Sequence, residues 1–181
     1  MGKIIGAINM TLDGFCDHTS MIADDEIHQH YTELLRNSSS ILYGRITYQL
    51  MEYWRTVLEK PTGNRSFDEF AVVIDRIPKI VFSKTLHTVD WPSAHISHKS
   101  LKEEVEILKE KEDQDILAGS RTMIISLLDL GLIDELQLMV QPIIAGKGLL
   151  LFNNINERKD LNLLRTKTFN GSGSVCFYYK T

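Results

Sequence analysis

The chain has 181 residues, 43% hydrophobic and 24% charged, with a net charge of −4. That is enough chain for one domain with a substantial core, of ordinary globular composition. The negative balance speaks against nucleic-acid and anionic-membrane partners, which need basic patches, and no apolar run is long enough to span a bilayer.

Residues 3–10 are apolar and predict a buried first strand, followed by a turn at Leu12-Asp-Gly-Phe15. Residues 24–36 predict a helix that Asp24 or Asp25 caps. A short strand at 40–43 ends at Gly44, and a short helix follows at 46–51. Lys60-Pro-Thr-Gly-Asn64 reads as a surface loop, and 67–74 as one or two helical turns. Strands are expected at 79–82 and, more weakly, at 94–97. Residues 100–112 form a charged helical pattern with an apolar seam at Leu101, Val105 and Leu108.

The segment Asp115-Ile-Leu-Ala-Gly-Ser-Arg-Thr122 passes from an apolar run to small residues, and an amphipathic pattern closed by Gly131 starts at once. It reads as strand, tight turn and helix. A further strand is expected at 134–140. A terminal hairpin pairs 167–169 with 174–179 across Asn170-Gly-Ser-Gly173. Alternating strands and helices, then strands in series, predict an α/β fold. Its sheet is mostly parallel with an antiparallel C-terminal edge, and helices cover both faces. One domain over 1–181 accounts for the whole chain.

In such sheets ligands bind beyond the carboxyl ends of the strands. Three of those ends carry small or basic polar residues: Gly44-Arg45 with Thr47, Ser83-Lys84-Thr85, and Gly119-Ser120-Arg121-Thr122. Each supplies N–H donors, hydroxyls and a cation, the groups that hold phosphate. The alternative is three ordinary surface turns. Two cysteines, Cys16 and Cys176, make no disulfide framework and suit a reducing compartment, and the first residues lack the long apolar core of a signal peptide. No metal-ligand set emerges: His28 and His30 are two apart on a helix, and His95 and His98 point oppositely on a strand. Gly146-Lys-Gly148 lacks the spacing and following helix of a phosphate loop.

Several short pieces, in this order and spacing, resemble the dihydrofolate reductase superfamily, and most closely its bacterial branch related to the reductase domain of riboflavin biosynthesis. They are Asn9-Met-Thr-Leu-Asp-Gly14, Leu42-Tyr-Gly-Arg-Ile-Thr-Tyr48, Tyr53-Trp54, Pro78-Lys-Ile-Val-Phe-Ser-Lys-Thr-Leu86, Leu117-Ala-Gly-Ser-Arg121, Gly131-Leu-Ile-Asp-Glu-Leu136 and Gln141-Pro-Ile-Ile-Ala-Gly-Lys-Gly-Leu-Leu-Leu-Phe152. The resemblance implies a cytoplasmic enzyme, commonly a homodimer, that uses NADPH to reduce a small heterocycle of pteridine or ribosylated-pyrimidine type. It implies that Gly44, Arg45 and Thr47 line the adenosine and phosphate side. Ser83, Lys84 and Thr85 would then lie near the ribose 2′-phosphate, and Gly119, Ser120, Arg121 and Thr122 at the pyrophosphate.

Asp13 has two readings: a catalytic residue that binds a substrate N–H or orients a water, or a turn residue beside Gly14. Trp54 either stacks on a flat substrate or packs in the core. Gln141 either shapes the pocket floor or ends a strand. Two departures bear on activity. Ala118 stands where the resembled family has the first of two glycines joined by a cis peptide, and cofactor binding predicts that a cis bond survives at Ala118-Gly119. The acid that dihydrofolate reductases place on the first long helix has no fixed counterpart in Asp24-Asp-Glu-Ile-His-Gln-His30, although His28 and the acids are near. The alternative function is a nucleotide-binding regulatory or interaction module with the same fold and no turnover.

Overall fold

The computed structural model describes residues 2–111, 113–153 and 155–181. Its strands are β1 (Ile4–Thr11), β2 (Ser38–Gly44), β3 (Lys79–Phe82), β4 (Ala94–Ile96), β5 (Asp115–Ala118), β6 (Glu135–Gln141), β7 (Asn162–Phe169) and β8 (Ser174–Lys180). Its α-helices are α1 (Asp25–Arg36), α2 (Arg45–Met51), α3 (Tyr53–Glu59), α4 (Arg65–Arg76), α5 (Leu101–Lys111) and α6 (Arg121–Asp129).

The strands form one sheet in the order β4-β3-β2-β5-β1-β6-β8-β7. All neighbours are parallel up to β6, and β8 runs antiparallel to both β6 and β7. The α/β fold expected from the alternating pattern, a mostly parallel sheet with an antiparallel C-terminal edge, is therefore present. Successive strand residues point to opposite faces, which divides the core in two. On one face Ile5, Ala7, Ile41, Tyr43, Val81 and Leu117 pack with Leu35, Val57, Phe70 and Ile74 of α1, α3 and α4. On the other, Ile4, Leu42, Ile80 and Ile116 pack with Val105 of α5 and with Ile124 and Leu127 of α6.

The helix starts follow the capping chemistry of the sequence. Asp24 accepts the Ile27 N–H, Asn64 those of Ser66 and Phe67, and Ser120 that of Met123. Each side chain satisfies a donor that has no partner within its own helix. The seam of α5 holds: Val105 is fully buried, and Leu101 and Leu108 pack beside it. The last residue of that predicted helix, 112, lies outside the described residues.

Two elements go beyond the sequence reading. The stretch after Tyr53-Trp54 is the helix α3, seated by buried Trp54 and Val57. Strand β7 begins at Asn162, five residues before the predicted 167, because seven of its eight residues are exposed and leave no alternating apolar signal. The strand is held from beneath instead. The Arg165 guanidinium lies 3.4 Å from the centroid of the Tyr178 ring, and the Lys167 ammonium 4.8 Å from that of Phe169. Among the described residues no helix is long and apolar enough to cross a membrane.

Candidate functional site

Parallel register brings the three polar turns side by side. Gly44 is opposite Phe82 at the end of β2–β3, and Leu42 is opposite Ala118 at the end of β2–β5. Arg45, Ser83-Lys84-Thr85 and Gly119-Ser120 therefore leave the sheet together. The Gly44 N–H donates to Ser120 Oγ at 3.1 Å, and Ser120 Oγ also caps α6. A Cβ on Gly44 would lie 2.7 Å from Thr122 Oγ1, so only glycine lets β2 end against the start of α6. Ser83 Oγ accepts the N–H groups of Thr85 and Leu86 and shapes its own turn. Lys84 and Arg45 are exposed, and Arg45 touches Gln49 at 3.2 Å.

Beside these turns lies a cleft of about 460 Å³ over the carboxyl half of β1, β2 and β5. Ala7, Asn9, Ile41, Tyr43 and Leu117 form its floor. Helix α1 contributes Tyr31, Leu34 and Leu35, and α2 contributes Thr47, Leu50 and Met51. The far wall is made of Cys16, Asp17, His18 and Leu149. Gly119, Ser120 and Arg121 close the end next to α6. A mostly apolar slot with a few polar groups suits a flat ring. The Tyr31 hydroxyl donates to Asn9 Oδ1 at 3.0 Å. Burial pushes the Tyr31 phenol well above its ordinary range, so this pair is neutral.

Three points of the sequence reading can be placed, the first of them a correction. The Ala118-Gly119 bond is trans, since no cis peptide occurs among the described residues. The trans geometry lets the Gly119 N–H continue the sheet ladder to the Leu42 carbonyl at 3.3 Å. The glycine itself is explained by packing, because a Cβ there would meet Tyr43 at 2.8 Å and Ile41 at 2.9 Å. Second, none of Asp24, Asp25, Glu26 and His28 lines the cleft. Asp24 caps α1, Asp25 accepts from Asn64 and Ser66, and Glu26 accepts the Gly171 N–H. His28 stacks on Phe67 with centroids 4.1 Å apart. Third, the Arg121 guanidinium is engaged with protein. Its Nε donates to the Leu150 carbonyl at 2.7 Å, and its Nη2 to the carbonyl and side chain of Asn153.

The remaining predicted residues border the cleft without lining it. Asp13 takes the Thr11 hydroxyl at 2.6 Å, the Ala145 N–H at 3.1 Å and the Gly146 N–H at 2.7 Å. Those hydrogen bonds, the Thr11 hydroxyl foremost, lower its carboxyl to about 2. Trp54 packs edge-on against Phe70 at 4.6 Å and against His28, on the core side of α3. Gln141 is fully buried, and its carboxamide accepts the Ile22 N–H at 2.6 Å and donates to the Ile22 carbonyl at 3.4 Å. It thereby pins the segment that carries Met21 into the cleft. The sequence reading did not single out Asn9, Tyr31 and Asp17. Parity supplies a signal for Asn9, which shares a strand face with Ile5 and Ala7. Helical spacing supplies one for Tyr31, which stands three and four residues before Leu34 and Leu35.

Over residues 2–177 the chain matches the model of the RibD C-terminal domain. It belongs to that family. An uncharacterized protein of Bacillus subtilis (strain 168), YyaP, is 32% identical over 183 residues, covering 98% of this chain and 94% of that one. A putative riboflavin biosynthesis protein from Shewanella sp. PV-4 superposes with a TM-score of 0.72 at 18% identity, over 98% of both chains. The dihydrofolate reductase of Enterococcus faecalis, in a complex with NADP(H), superposes with a TM-score of 0.66 at 13% identity, over 99% of this chain and 96% of that one. The two structural likenesses establish the fold. Among the described residues no cluster of three or more His, Cys, Asp or Glu side chains is placed to hold a metal ion.

Proposed function

We propose that this RibD C-terminal-type domain, spanning 1–181, is an NADPH-dependent reductase of a small heterocycle of pteridine or ribosylated-pyrimidine type. The observation that carries the reading is the meeting of the three polar turns, the start of α6 and the apolar cleft at one end of the sheet. When bound, NADPH would supply the hydride that reduces an electron-poor carbon of the substrate, and solvent would supply the proton that completes the reduction.

The chain's own groups fit such a cofactor at the backbone. Ser120 satisfies the Met123 N–H, which leaves the first N–H groups of α6 and its positive dipole end for phosphate. Gly44 and Thr122 bring β2 and α6 into contact there, with Thr47 and Ser120 hydroxyls at the same end of the cleft. The exposed side chains of Arg45 and Lys84, on neighbouring turns, suit the adenosine 2′-phosphate. Ser83 and Thr85 frame Lys84, and Gly119 sets the cleft floor. Asn9 and Tyr31 offer a neutral donor and acceptor to the ring. We place the enzyme in the cytoplasm as a homodimer acting on a small molecule, in keeping with two free cysteines and a negative net charge.

The second reading, a nucleotide-binding module without turnover, is favoured by two observations. The Gly119 N–H is spent on Leu42 through the trans bond, and α1 brings no carboxylate to the cleft. NADPH oxidation followed with a panel of pteridines, pyrimidines and quinones separates the two. Turnover with any of them supports the reductase. NADPH binding without turnover across the panel supports the module.

A further inference from the structure

The far wall of the cleft is built from two connections that are remote in sequence and stitched to each other. Cys16 N–H donates to the Leu149 carbonyl at 2.8 Å, and Leu151 N–H to the Gly14 carbonyl at 2.9 Å, around the bridge between Phe15 and Leu150. Asp17 Oδ2 accepts the Leu149 N–H at 2.5 Å. Gly148 permits that approach, because it has φ +140° and a Cβ there would collide with the Asp17 carboxylate. Leu151, fully buried, anchors the strap in the core beneath α6. From the other side, Arg121 on the first turn of α6 holds the carbonyls of Leu150 and Asn153. The strap Gly146–Asn153 is thus gripped between a carboxylate and a guanidinium, and both of those residues line the cleft.

We propose that Asp17 and Arg121 are positioning residues that fasten the strap 146–153 as a preformed wall of the cleft, and that Arg121 ties the order of that wall to occupancy at the start of α6. The guanidinium is a planar fork with five donors. The Nε and Nη2 edge serves the strap, and the same residue lines the cleft, so an anion beside α6 would meet an arginine whose far edge is already fixed. Anion and strap then share one cation without competing for the same hydrogens. Each should tighten the other, since a side chain ordered by one partner has less freedom left to lose to the second. This rests on the proposed function only in taking NADPH as the anion. The fastening by Asp17 stands without it.

The test is hydrogen exchange of the full-length protein, followed on a peptide covering 147–152 and on one from β1 as a core control. Asp17→Ala should speed exchange of the strap peptide about tenfold, the order expected for one charge-assisted hydrogen bond, while the β1 peptide stays unchanged. Asp17→Asn, which keeps one acceptor, should restore most of the protection. Equal strap exchange in wild type and Asp17→Ala overturns the fastening, as does a rise of equal size in both peptides. NADPH, with inorganic pyrophosphate as a smaller probe, should slow strap exchange in wild type and not in Arg121→Gln. Binding is measured on the same samples by titration calorimetry. Bound ligand without strap protection, or equal protection in Arg121→Gln, overturns the coupling. If neither probe binds, the coupling and the reductase reading both fall, and the Asp17 result still decides the fastening.

Discussion

Asp13 Oδ2 lies 2.7 Å from the backbone nitrogen of Gly146, a residue 133 positions further along the chain. A single carboxylate thereby joins the turn after β1 to the loop after β6, with Oδ1 taking the Thr11 hydroxyl and the Ala145 N–H. This geometry makes Asp13 a fastener of two loops beside the cleft.

Asp13→Ala is therefore expected to lower the melting temperature and loosen both loops. Asp13→Asn, which keeps an acceptor, should do so less. The sign of the acid response follows from the carboxyl's lowered value of about 2. Its contribution is present above about pH 4, the unfolded value, and is lost as pH falls from there toward 2. Thermal melts of wild type and Asp13→Ala between pH 2 and pH 6 check this. The gap between them should close at the acid end.

His30 predicts a second acid dependence at higher pH. Burial, then the nearby cations Lys167 and Arg165, lower its imidazole to about 4. It packs among Tyr31, Phe169 and Tyr178. Between the unfolded value near 6.5 and 4 the unfolded chain holds the extra proton, so stability rises with pH across that window. Acidifying from 7 to 4 should cost about 3 kcal/mol through this one group. Denaturant melts should show a flatter profile for His30→Phe over the same range.

Cofactor preference is the third expectation. Arg45 and Lys84 are exposed cations on adjacent turns, so NADPH should bind about tenfold more tightly than NADH at low salt. The Arg45→Ala/Lys84→Ala variant should bind both alike. Fluorescence titrations at two salt concentrations read the difference. Equal affinities in wild type would remove the charge argument.

Gly119 tests the cleft floor. An alanine there meets Tyr43 Cε1 at 2.8 Å and Ile41 Cδ1 at 2.9 Å, so Gly119→Ala should destabilise by about 1–3 kcal/mol through overpacking. Pairing it with Ile41→Val should recover part of that loss. Denaturant melts of the single and double variants measure the recovery.

The sequence by itself determined the architecture. Apolar runs of strand length, capping residues such as Asp24 and Ser120, and the small residues at three strand ends are local signals. Local sterics and hydrogen bonding read them without knowledge of the rest of the chain. What escaped were elements whose stabilising contacts are remote. Strand β7 is an exposed edge with no apolar alternation, and α3 is seated by packing under α4. The tertiary structure alone decided the site. Sequence names Asp13, Trp54, Gln141 and Arg121 as polar or aromatic residues near strand ends, but their use depends on partners in loops 29 to 133 positions away or on a neighbouring helix. Asp13 is spent on Gly146, Gln141 on Ile22, Trp54 on Phe70, and one edge of the Arg121 guanidinium on Leu150. A hydrogen bond is short-ranged and directional, so which partner claims a side chain is fixed only when the loops have met. The cleft floor and its α1 side then fall to Asn9 and Tyr31, residues whose position on a face mattered more than their type, while Asp17 and Arg121 fasten its wall.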